Sequence, residues 1–156
     1  MPEPEPEPDA ETPPLTIPAA VLDAMVAHCV REAPLECCGI LGGVAPLVSS
    51  IHPLRNTEAS ETRYNADPGE LVKAVVWLRE GGAEMLAIYH SHPRSPAVPS
   101  KTDLRENHYG EVPRIIVSLL GPEPEVRVWR LDPGSFEELP WRAGGAGPVE
   151  PGGGRG

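Results

Sequence analysis

From Pro18 to Ala33 the apolar residues Val21, Leu22, Met25, Val26, Cys29 and Val30 recur at i, i+1, i+4, i+5, i+8 and i+9. That spacing predicts an amphipathic helix, with Pro18 suited to its first turn and Pro34 disfavouring helix at the residue before it. The apolar, glycine-rich run Cys38 to Val44 and the run Leu47 to Leu54 then read as strands, and Thr62-Arg63-Tyr64-Asn65 as a short third one. Asp67-Pro68 opens a second helix traced by Leu71, Val72, Val75, Val76 and Leu78 and closed by Gly81-Gly82. Met85-Leu86-Ala87-Ile88-Tyr89 has the length and residue types of a buried strand, and it runs into His90. A short helix from Ser100 to about Asn107 precedes two more strands, Val112 to Leu120 and Val126 to Leu131, the last with one wet face. Strands interspersed with two longer helices predict an α/β domain in layers.

Composition narrows the picture at both ends of the chain. Residues 1–14 repeat Pro-Glu three times with almost no apolar content, so the expectation is a disordered acidic arm. The stretch 143–156 is glycine-rich and is expected to be a flexible tail, leaving 15–142 as one domain. Five of the 23 acids lie in the arm; the remaining 18 stand against 13 bases, so the domain itself is only mildly acidic. No Lys/Arg run stands out and aromatic residues are scarce, which argues against a nucleic-acid surface. No apolar run approaches the 20 or so residues of a membrane span, and the acidic N-terminus is unlike a secretory signal. A cytoplasmic protein is expected. Cys29, Cys37 and Cys38 are odd in number and form no Cys-x-x-Cys pair, so reduced thiols are expected in place of a disulfide framework.

The chemistry concentrates at Tyr89-His90-Ser91-His92-Pro93 and Pro99-Ser100-Lys101-Thr102-Asp103. On a strand, side chains repeat by twos, so His90 and His92 share a face about 7 Å apart at the backbone while Ser91 points away. Ser100 has the form of a helix cap, with Asp103 in the first turn. Two imidazoles and one carboxylate are a ligand set used for catalytic zinc, and three protein ligands leave a fourth tetrahedral position for water. Each element has a plainer reading, since Ser100 and Asp103 could be no more than a capping box, but their conjunction is restrictive. His52 and His108 have no partner in the pattern and read as structural and surface residues.

His90-x-His92-Pro93 and Ser100-x-x-Asp103, with ten residues between His92 and Asp103, resemble the signature of the JAMM (MPN+) metalloproteases. The upstream glutamate of that signature corresponds to Glu36, in Glu36-Cys37-Cys38-Gly39. Arg55-Asn56 and Tyr64-x-x-Asp67-Pro68-x-Glu70-Leu71 resemble the small prokaryotic members, and the likeness runs from about Leu15 to Trp141. By itself Glu36 reads as a solvated loop acid; only its place in the family pattern makes it a candidate.

The resemblance implies a curved, largely antiparallel sheet flanked by helices. It implies zinc on His90, His92 and Asp103, Glu36 as general base and then acid, and Ser100 as a donor to the tetrahedral oxyanion. The implied substrate is a peptide or isopeptide bond after the C-terminal Gly-Gly of a ubiquitin-like protein. Only 53 residues follow Asp103, which leaves no room for the long insertions of eukaryotic members, so a prokaryotic ubiquitin-like or sulfur-carrier protein is the expected partner. Two rivals remain at this point: a non-catalytic MPN-type scaffold, and a thiol enzyme using Cys37 or Cys38. Cys37 has a further pair of readings, a buried structural thiol or a fourth ligand that restrains the metal when substrate is absent. Dimerisation is left open.

Overall fold

The computed structural model describes residues 13–144. The expectations for residues 1–12 and 145–156 therefore lie outside the described residues. In chain order the elements are β1 (Leu15–Pro18), α1 (Ala19–Glu32), β2 (Cys38–Val44), β3 (Leu47–Leu54), α2 (Pro68–Glu80), β4 (Glu84–His92), α3 (Lys101–Arg105), β5 (Arg114–Ser118), β6 (Glu125–Asp132), β7 (Ser135–Leu139) and β8 (Trp141–Gly144). The eight strands form one sheet in the order β7-β6-β5-β4-β2-β3-β1-β8.

The α/β layering expected from the pattern is present, and the sheet is mixed. The pairs β1–β3, β1–β8 and β4–β5 are parallel, while β2–β3, β2–β4, β5–β6 and β6–β7 are antiparallel. The outermost strands β7 and β8 are consecutive in sequence, with Pro140 alone between them. The sheet must therefore curl until its two ends meet at that residue.

Each face of the sheet is covered by what its alternation exposes. Ala87 and Tyr89 of β4 join Leu41, Ile115, Val117 and Val128 against Val21, Met25 and Cys29 of α1. Ile88, with Cys38, Ile40 and Leu54, packs against Ala74 and Leu78 of α2. Asp67 caps α2 by accepting the Glu70 N–H. The apolar stripes are narrower than periodicity implied: Val30, Val72 and Val76 are exposed, and the buried line of α1 runs Val21, Met25, His28 and Cys29. His28 belongs there because its Nδ1 lies 2.7 Å from the Tyr89 hydroxyl, which gives both buried groups a partner.

Three strands had no signal in the pattern. β1 is four residues long, and β7 and β8 are short and largely exposed, so none shows an extended apolar alternation. β8 also takes in Ala143 and Gly144, which the sequence had assigned to the tail. Conversely, Thr62 to Asn65 is not a strand; Asn56 and Ala66 make an isolated bridge, and the Asn56 side chain binds the backbone of Arg63 and Asn65 directly. A side chain there takes the place of a partner strand.

Gly39 of β2 lies opposite Tyr89 of β4, and a Cβ at Gly39 would sit 2.4 Å from that ring. The ring is held by its bond to His28 and cannot yield freely. Gly39→Ala is expected to cost about 1–3 kcal/mol of stability, the range for overfilling a packed core. An unchanged urea midpoint would show that the ring is free to move.

Candidate metal centre

β4 is hydrogen-bonded on both sides, with Cys38 and Ile116 flanking His90 and Ser118 flanking His92. Period-two alternation then sends both imidazoles to the face carrying α2 and α3, and Ser91 to the other, where its Oγ accepts the Cys37 N–H at 2.9 Å. Asp103 arrives from α3. The helix has a full capping box: Ser100 Oγ accepts the Asp103 N–H at 3.0 Å, and Asp103 Oδ2 accepts the Ser100 N–H at 2.9 Å. The expected cap is present, and the same motif sets Asp103 beside the two histidines.

The three ligand-type atoms lie within 4.8 Å of one another. His90 Nε2 is 3.2 Å from His92 Nε2 and 3.2 Å from Asp103 Oδ1, and His92 Nε2 is 3.0 Å from Asp103 Oδ2. His92 Nδ1 is 2.7 Å from the Pro96 carbonyl, which can only accept, so Nδ1 carries the hydrogen and the lone pair of the neutral ring lies on Nε2. The lone pair of His92 Nε2, the Nε2 of His90 and a carboxylate thus converge on one point. A cation between them satisfies all three, and the donor set fits a divalent metal.

The ionisation of the groups agrees with that reading. Burial lowers His90 and keeps it neutral. Burial would also lower His92, but the Asp103 carboxylate outweighs it and raises the ring above its usual value. Burial would raise Asp103; the two imidazoles and the Ser100 N–H outweigh it and hold the carboxyl well below the usual range.

Glu36 precedes β2 and is buried, with Oε1 meeting no hydrogen-bond donor among the described residues. Burial pushes its carboxyl up to about 8, with His92 pulling the other way and Asp103 adding to the rise. Sequence reasoning had placed Glu36, His90, His92, Ser100 and Asp103 together, and the structure brings all five to one region. It also adds residues that spacing alone could not give a role. The Tyr64 ring stacks on His90 with centroids 4.4 Å apart. Arg114, itself buried, lies 3.4 Å from the Tyr64 hydroxyl and 5.0 Å from the centre of the Tyr109 ring. A cleft of about 240 Å³, lined by Arg63, Tyr64, Asp103, Glu106, His108 and Tyr109 among others, opens beside the cluster.

The fourth-ligand reading of Cys37 is corrected here. Its thiol lies in the core under α1, 3.6 Å from Cys29 Sγ, on the face of the sheet away from the imidazoles. Adjacency to Glu36 in sequence became opposition in space, because successive residues of an extended segment point apart. Cys38 is also buried, and burial pushes its thiol up to about 12, so it offers no thiolate for catalysis. His52 is structural, as expected: its Nε2 lies 2.9 Å from Ser50 Oγ and its ring packs on Trp77. His108 is exposed.

The chain belongs to the family of prokaryotic homologs of the JAB domain, matched over residues 18–132, and it is a metal-dependent peptidase. A probable TtuB-protein conjugate cleaving protease of Thermus thermophilus is 43% identical over 103 residues, covering 65% of this chain and 68% of that one. The CysO-cysteine peptidase of Mycobacterium tuberculosis is 34% identical over 129 residues, 81% of this chain and 88% of its own. Among solved structures, protein DSY2949 of Desulfitobacterium hafniense superposes with a TM-score of 0.77 at 30% identity, covering 87% of this chain and 95% of that one. The named relatives are peptidases, which sets aside the scaffold alternative; the thiol-enzyme alternative is opposed by the position of Cys37 in the core, away from the imidazoles.

The cap can be separated from any catalytic part of Ser100. In the presence of a chelator, Ser100→Ala is expected to lose about 1 kcal/mol of stability, the usual cost of an N-cap. Equal chemical denaturation curves for the two metal-free proteins would show that Asp103 holds the helix start unaided.

Proposed function

We propose that this chain, with zinc as its metal, hydrolyses the peptide or isopeptide bond following the C-terminal Gly-Gly of a ubiquitin-like or sulfur-carrier protein. The observation that carries the reading is the convergence of His90, His92 and Asp103, with the buried Glu36, whose Oε1 lacks a partner among the described residues, close enough to feel the charges of His92 and Asp103. Two imidazoles and one carboxylate in a four-coordinate setting suit zinc better than magnesium or calcium, which prefer six or more oxygens. When bound, zinc supplies Lewis-acid chemistry, lowering the pKa of water towards about 7 and polarising a carbonyl.

The chain's own groups do the rest. Glu36, in dry surroundings that raise its affinity for a proton, accepts one from water and returns it to the leaving amine, so one carboxylate serves as base and then acid. Ser100 uses its oxygen to cap α3, which leaves its own hydrogen free to donate to the oxyanion as the carbonyl becomes tetrahedral. The Pro96 carbonyl fixes the tautomer of His92, and Tyr64 covers the face of His90.

The substrate class follows from two supports. His90, His92 and Asp103 are only 0%, 2% and 7% exposed, so a slender segment without side chains reaches them more readily than an ordinary peptide. The named relatives act on conjugates of TtuB and on CysO-cysteine, both of them adducts of a carrier, and by likeness the same class is assigned here. The cytoplasm, where Cys29, Cys37 and Cys38 stay free thiols, is the proposed setting.

Purified protein is expected to hold about one zinc by elemental analysis, and His92→Ala to lose it. Full occupancy with full activity in that variant would sink the ligand assignment. Glu36→Gln is expected to keep zinc and lose about a hundredfold or more in turnover, and Ser100→Ala to lose a comparable factor. The assay is intact mass of a carrier adduct ending in Gly-Gly. A carrier lacking both glycines should stay uncut, and equal cleavage of the two would remove the Gly-Gly requirement.

A further inference from the structure

At the reactive end of Glu36, Oε1 is buried and has no hydrogen-bond partner among the described residues. Its peptide group, by contrast, is gripped by one loop. The Glu36 N–H donates to the Ser60 carbonyl at 2.8 Å, and the Glu36 carbonyl accepts from Asn56 Nδ2 at 3.0 Å. Asn56 also donates to the Arg63 carbonyl at 3.0 Å and accepts the N–H groups of Glu58 at 3.0 Å and Asn65 at 2.9 Å. Both donor hydrogens are in use and the oxygen accepts twice, so the amide has no remaining freedom to flip.

We propose that Asn56 is the positioning residue for the general base, tying the backbone of Glu36 to a loop that is itself fixed to the metal ligands. The inference rests on the role of Glu36 given above. The loop from Asn56 to Ala66 reaches the far side of the site at three points. Tyr64 stacks on His90 at 4.4 Å, Arg63 pairs with Glu106 just beyond α3, and Glu61 pairs with Arg94 at 3.3 Å in the segment following His92. Asn56 closes this frame, so the distance from carboxylate to metal cluster is set by a side chain that touches neither. A displacement of about 1 Å at a reacting group is enough to lower a rate about a hundredfold.

Asn56→Asp separates this role from loop support. It keeps the shape and the acceptors for Glu58 and Asn65, but turns an acceptor toward the carbonyls of Glu36 and Arg63. Thr57→Val is the loop control, removing only the Thr57 hydroxyl bond to the Asn65 carbonyl. With zinc-loaded full-length protein and a Gly-Gly carrier adduct, Asn56→Asp is expected to lower kcat by about ten- to a hundredfold at unchanged KM and zinc content. Thr57→Val is expected to lower the melting temperature and leave kcat unchanged. In the Glu36→Gln background, Asn56→Asp should lower kcat by less than about twofold more, because two residues acting through one carboxylate do not multiply. Multiplying effects would overturn the proposal, as would a loss of rate that only tracks a loss of zinc. Glu36→Gln inactive with Asn56→Asp fully active overturns the positioning role alone, whereas Glu36→Gln fully active overturns the base assignment and the positioning role with it. If Asn56→Asp does not fold, Asn56→Ser, too short to reach the Glu36 carbonyl, is held to the same outcomes.

Discussion

A strand with neighbours on both sides has no freedom in where its side chains go, and the site depends on that constraint in β4. Its ladder to β2 reaches His90 and its ladder to β5 runs on to His92, so His90 cannot turn to the other face without breaking pairing on both sides, nor His92 without breaking it on the β5 side. The central position also explains the division of labour between faces: Tyr89 and Ser91 serve the α1 core and the Cys37 backbone, while Ile88, His90 and His92 serve the α2 side and the site. A ligand pair on an edge strand would have only one ladder to hold it.

The second constraint is electrical. Two imidazole nitrogens and the two oxygens of one carboxylate meet at 3.0–3.2 Å in a nearly dry place, an arrangement that is costly unless positive charge lies between them. The fold gives two of the ligands a second bond, Pro96 for His92 and the Ser100 backbone for Asp103, while His90, whose Nδ1 is buried without a partner among the described residues, is held by the Tyr64 ring stacked on it. These outer contacts keep the ligands aimed.

Much of this was legible in the sequence, and the boundary of legibility is physical. His90-x-His92 is readable because strand alternation is local, and Ser100-x-x-Asp103 because a capping box is local. β2 and β3 were bounded correctly by glycine, proline and apolar content. Glu36 was visible only through the family pattern, since nothing near it in sequence says that it is buried. Asn56, Tyr64 and Arg114 act on partners 7 to 50 residues away across a loop, so no spacing rule could find their roles. Periodicity located the stripes of α1 and α2 but not their edges, hence exposed Val30, Val72 and Val76. β7 was invisible because Ser135-Phe136-Glu137-Glu138-Leu139 is largely exposed and shows no apolar alternation; its place comes from the backbone ladder to β6, with Arg127–Glu138 and Arg130–Glu137 across it.

The same outer strand bears on the protein's behaviour in a crowded cell. An eight-stranded sheet offers two rims where a stray chain could add and begin a fibril. Here both rims run to one corner at Pro140, a residue with no N–H to donate, and the β7 rim is flanked by the charges of Glu137 and Glu138. Charged side chains along an outer strand are one way a sheet blunts such a rim, and β7 carries two of them in five residues.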